Sequence, residues 1–428
     1  MKTAVIWFRR DLRVEDNRAL EQALLSGSPV LPLFIFDREI LDELPRDDPR
    51  VIFIYARLEN LHRWFRSLGS SLVVKYGAPV PVWHEIISEY QISGVYLNKD
   101  YEPYAVERDR NIELLLGKHG IPLNRFKDQV IFEEDEILTR DSTPYTVFTA
   151  YKRKWLEQFT PESIFAGPSM PTDHFLPMNH PFPSLSDLGF RKSSIRVEPY
   201  DLSKLDHYSR LRDYPAAAAT THLSPHLRFG TVSIRQIVAG LKPSHELFLA
   251  ELIWREFFMQ ILHHFPRVVD QNFKTKYNGI EWRNNAEEFN RWCNGETGYP
   301  LVDAGMRQLN ETGTMHNRVR MVTASFLCKH LLIDWRWGEA YFAGKLLDFE
   351  LSSNNGNWQW VAGTGCDAAP YFRIFNPHEQ MKRFDKNLEY VHRWIPEYRA
   401  GKYIKPVVNH QYARTRALEA YKKGIANS

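Results

Sequence analysis

Up to residue 130, short apolar runs alternate with stretches whose apolar positions follow the period of a helix. Ala4–Phe8, Val30–Phe36, Leu72–Tyr76 and Val95–Asn98 are brief and rich in β-branched and aromatic residues, as buried strands are. Asn17–Leu25, Arg50–Leu68, Val80–Tyr90 and Ala105–Lys118 carry the helical period. This alternation predicts an α/β domain built on a doubly wound parallel sheet, with helices on both faces and right-handed crossovers. A ligand of such a sheet is expected at the carboxyl ends of its strands. No G-x-G-x-x-G and no Walker A run is present, so an ordinary dinucleotide or ATP site is not expected.

From Phe159 to Tyr200 the periodicity disappears. Pro161, Pro168, Pro171, Pro177, Pro181 and Pro183 interrupt any helix, and a long connection over the surface is predicted. After Leu205 the helical period returns, in Ser244–His264, Tyr299–Thr312, Asn317–His330 and Gly338–Leu347, and a short basic helix covers Tyr412–Ser428. The expected organisation is therefore an α/β domain over 1–130, a linker over 131–204 and an all-α domain over 205–428.

Composition narrows the class of protein. The 428 residues suffice for two or three domains, and 43% hydrophobic with 25% charged residues is ordinary for a soluble protein. The longest apolar runs fall far short of a bilayer span, and Met1–Arg10 has no secretory pattern, so a cytoplasmic protein without membrane contact is expected. Cys293, Cys328 and Cys366 are too widely spaced for a disulfide framework or a metal knuckle and read as reduced, structural thiols. A net charge of +3 does not itself demand a nucleic-acid partner; any such surface must be a local patch. The unusual feature is 12 Trp beside 20 Tyr and 26 Phe. Trp254, Trp282, Trp292, Trp335, Trp337, Trp358, Trp360 and Trp394 all fall in the second half, near segments rich in Asn and Arg.

Several of those segments can carry chemistry. In Thr220-Thr221-His-Leu223-Ser224-Pro225, hydroxyl residues precede a helix-starting proline; they read either as a simple helix cap or as a cradle for a diphosphate. On a helix, Glu251, Trp254, Arg255 and Phe258 share one face. That face is either a Glu–Arg surface pair beside a half-buried Trp, or a cleft wall offering a stacking ring, an acceptor and a phosphate contact. Asn317 and Arg320 share a face while Arg318 points elsewhere. Asn354-Asn355-Gly356-Asn357, followed by Trp358-Gln-Trp360, makes a poor helix and a poor strand, and predicts a tight polar loop wrapping a heterocycle. His316 has no second His at ligand spacing, so no metal site is expected.

Taken in order, Thr312-Gly-x-Met-His-Asn-Arg-x-Arg-Met321, Asp334-Trp335, Asn354-Asn-Gly-x-Trp-Gln-Trp360 and Asp367-Ala-Ala-Pro-Tyr-Phe-Arg-Ile-Phe-Asn-Pro377 resemble the DNA photolyase/cryptochrome family. Trp7-Phe-Arg-Arg-Asp11-Leu-Arg13, Asp16-Asn17, Lys99-Asp-Tyr-Glu-Pro103 and Tyr145-Thr-Val-Phe-Thr149 extend the match, so that the resemblance covers essentially the whole chain.

The resemblance implies a helical domain that holds FAD, functional as FADH⁻, and a partner in damaged DNA that contains pyrimidine dimers, bound by a monomer. Carried over by position, Tyr208, Thr220, Thr221, Leu223 and Ser224 lie along the FAD phosphates and ribose. Asn317, Arg320, Asp348, Glu350 and Asn354 surround the flavin ring, with Asn354 facing N5. An Asn there is similar to photolyases, whereas plant-type cryptochromes carry Asp and animal-type ones Cys. An amide can hold a reduced flavin without supplying a proton. Trp358, Trp335 and Trp282 match the chain of tryptophans that resupplies electrons. Trp254 and Trp360 match the pair lining the lesion pocket, with Glu251 and Met321 beside the damaged bases and Arg255 on the substrate side. Arg212, Arg318 and Arg373 match phosphate contacts. The activity implied is light-driven repair of cyclobutane pyrimidine dimers by electron transfer to a flipped-out dimer; the competing reading is a cryptochrome-type photoreceptor.

Departures from the family pattern are Glu350 in place of Asp, Ala150 in place of Pro, and Tyr104-Ala105 in place of the Asn-Glu pair of folate-binding bacterial members. The last leaves the antenna open: a deazaflavin, a flavin, a folate bound elsewhere, or none.

Overall fold

The computed structural model describes residues 2–164, 174–401 and 403–427. Pro168 and Pro171, expected to break any helix, lie outside them. Five strands, β1 (Thr3–Phe8), β2 (Val30–Asp37), β3 (Val73–Gly77), β4 (Ile92–Asn98) and β5 (Leu123–Phe126), form one parallel sheet in the order β3-β2-β1-β4-β5. The helices α1 (Arg18–Leu25), α2 (Arg38–Leu41), α3 (Pro49–Ser67), α4 (Pro79–Glu89) and α5 (Pro103–Lys118) connect them. Every residue of β1 and β2 is buried, as expected for central strands covered on both faces. Apolar side chains gather on both sides, around Phe8, Phe36 and Phe65 on one and around Trp7, Trp83 and Val95 on the other. The four strands read from the sequence are present within a few residues. β5 was not anticipated, because Leu-Asn-Arg-Phe is a half-buried edge strand with no continuous apolar run.

The remaining helices are α6 (Phe148–Gln158), α7 (Leu205–Leu211), α8 (Ser224–Arg228), α9 (Ile234–Ala239), α10 (Glu246–His264), α11 (Ala286–Cys293) and α12 (Pro300–Thr312). They continue as α13 (Asn317–Ser325), α14 (Trp335–Lys345), α15 (Leu351–Ala362), α16 (Pro377–Phe384), α17 (Glu389–Trp394) and α18 (His410–Ala426). The helix expected over Asn317–His330 becomes a π-helical stretch at Phe326–Leu331 and ends at Leu332, which adopts a left-handed conformation with φ of 53°. The fully buried Lys329 in that stretch donates to Ala362 O (2.7 Å) and Tyr371 O (3.3 Å), and burial pushes its amine down to about 7.

The chain forms two compact units. Unit 1 comprises residues 1–136, 156–199 and 223–241; unit 2 comprises 137–155, 200–222 and 242–428. The segment expected as a linker is thus divided between them, and residues 223–241, expected in the helical domain, belong with the sheet. Buried charge explains the latter. Arg235 Nε bonds Asp16 Oδ2 at 2.9 Å and Nη2 bonds Asp128 Oδ1 at 2.8 Å; Asp128 also takes Arg13 at 2.7 Å. Buried carboxylates and guanidinium groups must pair, and among the described residues these find their partners within unit 1. At Gly230, φ is +58° and a Cβ would lie 2.1 Å from Arg10 O, so a side chain has no room.

Among the described residues, the named elements of unit 2 are all helices. Its main apolar core contains Trp292, Val319, Phe326, Trp335, Phe342 and Trp358. The three cysteines are free thiols. Among the described residues no helix is long and apolar enough to cross a membrane, and no group of His, Cys, Asp or Glu is arranged to hold a metal ion.

Candidate active site

The run Asn354–Asn357 is not a loop. It lies inside α15, against the sequence expectation. Asparagine and glycine disfavour helices because they offer the backbone alternatives, but here tertiary partners use those side chains. Asn355 Nδ2 donates to Val268 O (2.8 Å), and Gln359 Nε2 one turn later donates to the same carbonyl (3.0 Å). Gln359 Oε1 accepts from Phe273 N at 2.9 Å, and Asn357 Nδ2 donates back to Ser353 O at 2.8 Å. Gly356 packs closely against Phe258 of α10, where a Cβ would sit 2.1 Å from the ring. Buried amides on one side of α15 therefore lock its neighbour in place.

Asn354 occupies another side of the helix, and α14 supplies its partner. Its Nδ2 donates to Glu339 Oε1 (2.7 Å) and Glu339 O (3.1 Å). With both amide protons committed, Oδ1 is the end left to offer, and it accepts no hydrogen bond among the described residues. Burial raises the pKa of Glu339 while the Asn354 bond opposes the rise.

Polar pairs complete this region. Arg320 Nη2 reaches both oxygens of Asp348, at 2.9 and 3.1 Å, and its Nε donates to Met315 O at 2.8 Å. Arg255 Nη2 lies 3.6 Å from Glu350 Oε2, both side chains largely buried. Glu350 is also the residue from which α15 starts, its carbonyl accepting from Asn354 N at 2.8 Å. Asn317 is exposed at the first position of α13. His316 precedes it as the N-cap, its Nδ1 accepting from Arg318 N at 3.1 Å, and burial with two nearby arginines pushes its imidazole down to about 4.

The candidate lesion-facing residues lie on α10, α13 and α15. Trp254 is half-buried, with one face stacked on Phe148 at 3.6 Å between ring centroids and 9° between planes. Asp367 Oδ2 fixes Phe148 by accepting its backbone N–H at 2.8 Å. Glu251 is paired with Arg212 at 2.8 Å and Arg318 with Asp213 at 2.5 Å. Arg318 also brings Nη1 within 4.0 Å of Met321 Sδ. Arg373 is exposed beside Phe375, 5.5 Å from its ring centroid. Glu251 and Arg255, four residues apart on α10 and in one reading a surface pair, instead take separate partners, Arg212 and Glu350. Trp335 and Trp358 are fully buried in the unit 2 core, and Trp282 and Trp360 pack against it half-exposed. Trp335 Nε1 donates to Asn272 Oδ1 at 2.9 Å.

Tyr208, Thr220 and Thr221 belong to unit 2, while Leu223 and Ser224 belong to unit 1. Tyr208 packs edge-on against Phe248, and burial together with the Glu251 charge pushes its phenol up to about 12. Ser224 does not cap α8 as one reading expected: the capping position is Leu223, whose side chain supplies no cap, and Ser224 is already the first helical residue. At the strand ends of unit 1, Tyr104 OH donates to Asp37 at the end of β2, and Arg10 Nη1 bonds Asp100 at 2.9 Å.

Two family descriptions match the chain: DNA photolyase over residues 4–172, and FAD binding domain of DNA photolyase over 248–402. A deoxyribodipyrimidine photo-lyase of Halobacterium salinarum is 36% identical, with 98% of each chain covered. This chain belongs to the DNA photolyase/cryptochrome family. An Escherichia coli deoxyribodipyrimidine photo-lyase is 35% identical over 98% of each chain. The crystal structure of a class III photolyase from Agrobacterium tumefaciens superposes with a TM-score of 0.89 at 33% identity, covering 100% of this chain and 98% of that one. An archaeal photolyase from Sulfolobus tokodaii, solved with two FAD molecules, has a TM-score of 0.85 at 32% identity, over 98% and 99% of the chains. As an enzyme, this family member falls with the deoxyribodipyrimidine photo-lyases, carbon–carbon lyases, and its C-terminal helical domain is an FAD-binding one.

The side chains present fit a flavin. The Asn354 amide, with its nitrogen held, and two arginine–carboxylate pairs are groups that could hydrogen-bond a ring with several polar edges.

Glu339, Asp213 and Asn272 were not anticipated. Glu339 had a visible signal, a lone carboxylate in the aromatic run Trp335-Arg-Trp-Gly-Glu-Ala-Tyr-Phe, where burial demands a partner.

Proposed function

We propose that this family member repairs cyclobutane pyrimidine dimers in DNA, with reduced FAD as the light-driven electron donor. The observation that carries the reading is the fixed amide of Asn354: with Nδ2 held by Glu339, its oxygen is the end offered to a flavin ring. A reduced ring presents an N–H where an oxidised one presents an acceptor, so the amide oxygen favours the reduced form and brings no ionisable proton. When bound, reduced FAD supplies the electron that opens the dimer under light.

The rest is the work of the chain's own groups. Arg320 with Asp348, and Arg255 with Glu350, hold charge at the ring, and Tyr208, Thr220 and Thr221 serve its phosphates and ribose. Trp254, backed by Phe148, presents its remaining face to a base flipped from the duplex, and Trp360 acts with it. Glu251 hydrogen-bonds the lesion, Met321 lies beside it, and Arg212, Arg318 and Arg373 contact backbone phosphates. Trp358, Trp335 and Trp282 return electrons to flavin that has become oxidised. The reaction is redox-neutral: the dimer gains one electron, its two cyclobutane C–C bonds break, and the electron returns.

A second light-gathering chromophore is proposed at the carboxyl ends of β1, β2 and β4, on the strength of the Sulfolobus structure and of where doubly wound sheets bind ligands.

The competing reading is a blue-light photoreceptor acting through partners, which a Synechocystis cryptochrome structure supports, with a TM-score of 0.82 at 25% identity. Binding in the dark separates the two. Dimer-containing duplex should bind more tightly than undamaged duplex, and Trp254→Ala should lose that preference while retaining FAD; no preference in the unsubstituted protein contradicts the repair reading.

A further inference from the structure

Two phosphate-seeking arginines are already paired with carboxylates, and the pairs run in series. Arg212 and Asp213 are consecutive residues at the end of α7. Arg212 reaches across to Glu251 on α10 (2.8 Å), with its guanidinium 5.3 Å from the Tyr208 ring centroid. Asp213 takes Arg318 on α13 (2.5 Å), whose guanidinium lies 4.5 Å from the Phe384 ring centroid. One turn of chain thus offers opposite charges to two different helices.

These pairs differ from the structural ones. Arg320, two residues after Arg318, engages both oxygens of Asp348 and a backbone carbonyl. Arg318 has a single carboxylate oxygen, a distant sulfur contact, and an Nε that is buried without a partner. Asp213 is 41% exposed in its side chain and Glu251 34%, so both pairs stand where water and phosphate can compete. A guanidinium held this way can exchange a carboxylate for a phosphate, but must first leave its partner.

We infer that Asp213 is a positioning residue: it holds Arg318 back from DNA that offers nothing to the pocket, so that the phosphate contact is made only when a lesion is seated. This rests on the repair reading of Trp254 and Arg318. With a lesion seated, stacking in the pocket offsets the loss of the Asp213–Arg318 pair, and Glu251, drawn to the lesion, releases Arg212. On undamaged duplex no such contacts form and both pairs stay closed, which lowers non-specific affinity. Asp213 touches neither flavin nor lesion in this account; it acts through Arg318.

The test measures binding in the dark by the FAD-loaded protein to undamaged and single-dimer duplexes across a salt series. In Asp213→Asn, undamaged-duplex affinity at low salt should rise about three- to fourfold, and the slope of log K against log salt should steepen by about 0.9, as for one more phosphate contact. Single-dimer affinity should rise at least as much but with its slope unchanged, because that complex already makes the Arg318 contact after breaking the pair. Adding Arg318→Gln should cancel the gain, and Asp213→Glu should restore the unsubstituted slope on undamaged duplex. An unchanged slope and affinity for undamaged duplex, with single-dimer duplex still preferred, overturns this inference alone. Equal affinity of the unsubstituted protein for both duplexes overturns it together with the repair reading.

Discussion

Glu339 holds the side chain of Asn354 by its nitrogen, at 2.7 Å from the carboxylate and 3.1 Å from the backbone carbonyl. That pairing turns an amide that could present either end into one that presents its oxygen. Replacing Glu339 with Leu removes the carboxylate acceptor and lets the amide rotate. Charge-assisted hydrogen bonds contribute about 1.5–3 kcal/mol. Dark reoxidation of photoreduced flavin in Glu339→Leu should therefore accelerate about tenfold or more, since about 1.4 kcal/mol is a factor of ten. Absorbance spectroscopy after illumination reads this directly, and an unchanged rate refutes the role assigned to Glu339.

The proposed function divides electron resupply and repair between different residues. Trp335 is fully buried, and its indole N–H is held by Asn272. Trp335→Phe keeps an aromatic ring and removes the readily oxidised indole. Photoreduction of oxidised enzyme should slow markedly, while repair by enzyme reduced beforehand should be unaffected. Equal loss of both would contradict the division.

Gly356 tests the packing of α15. Alanine favours a helix interior over glycine by about 1 kcal/mol. Its Cβ, however, would lie 2.1 Å from the buried Phe258 ring, and overpacking of a core costs about 1–3 kcal/mol. The clash wins, and Gly356→Ala should lower the denaturation midpoint. A raised midpoint would show that α10 and α15 can part more easily than the packing implies.

The histidines set the acid limit. Burial pushes His316 down to about 4 and His330 to about 3, both below an unperturbed histidine. A depressed folded-state pKa means that the unfolded chain binds protons first. Their contribution to stability is therefore complete above about pH 6.5 and is lost as pH falls toward 4 and then 3. Denaturation midpoints should decline over that window, and His330→Gln should flatten the decline; a midpoint indifferent to pH between 6.5 and 4 would refute this account.

The sheet was legible because β1, β2, β3 and β4 are apolar runs bounded by turns, and a period of that kind survives any tertiary context. β5 was hidden because an edge strand needs no apolar run. Asn354–Asn357 misled for a different reason. Local propensity points away from a helix, and the acceptors that reverse it, the Val268 carbonyl and Glu339, are distant in sequence or seemingly unrelated. The ordered motifs identified the family, yet not that Asp213 pairs with Arg318 or that Phe148 covers one face of Trp254. Those are contacts between segments over a hundred positions apart, invisible to spacing.

The central claim is tested by illuminating the FAD-loaded, reduced protein with duplex DNA containing cyclobutane pyrimidine dimers and measuring dimer content against a dark control. The account predicts that dimers disappear only in the light, with intact pyrimidines restored. Unchanged dimer content in a preparation that holds reduced FAD and binds the damaged duplex would contradict it.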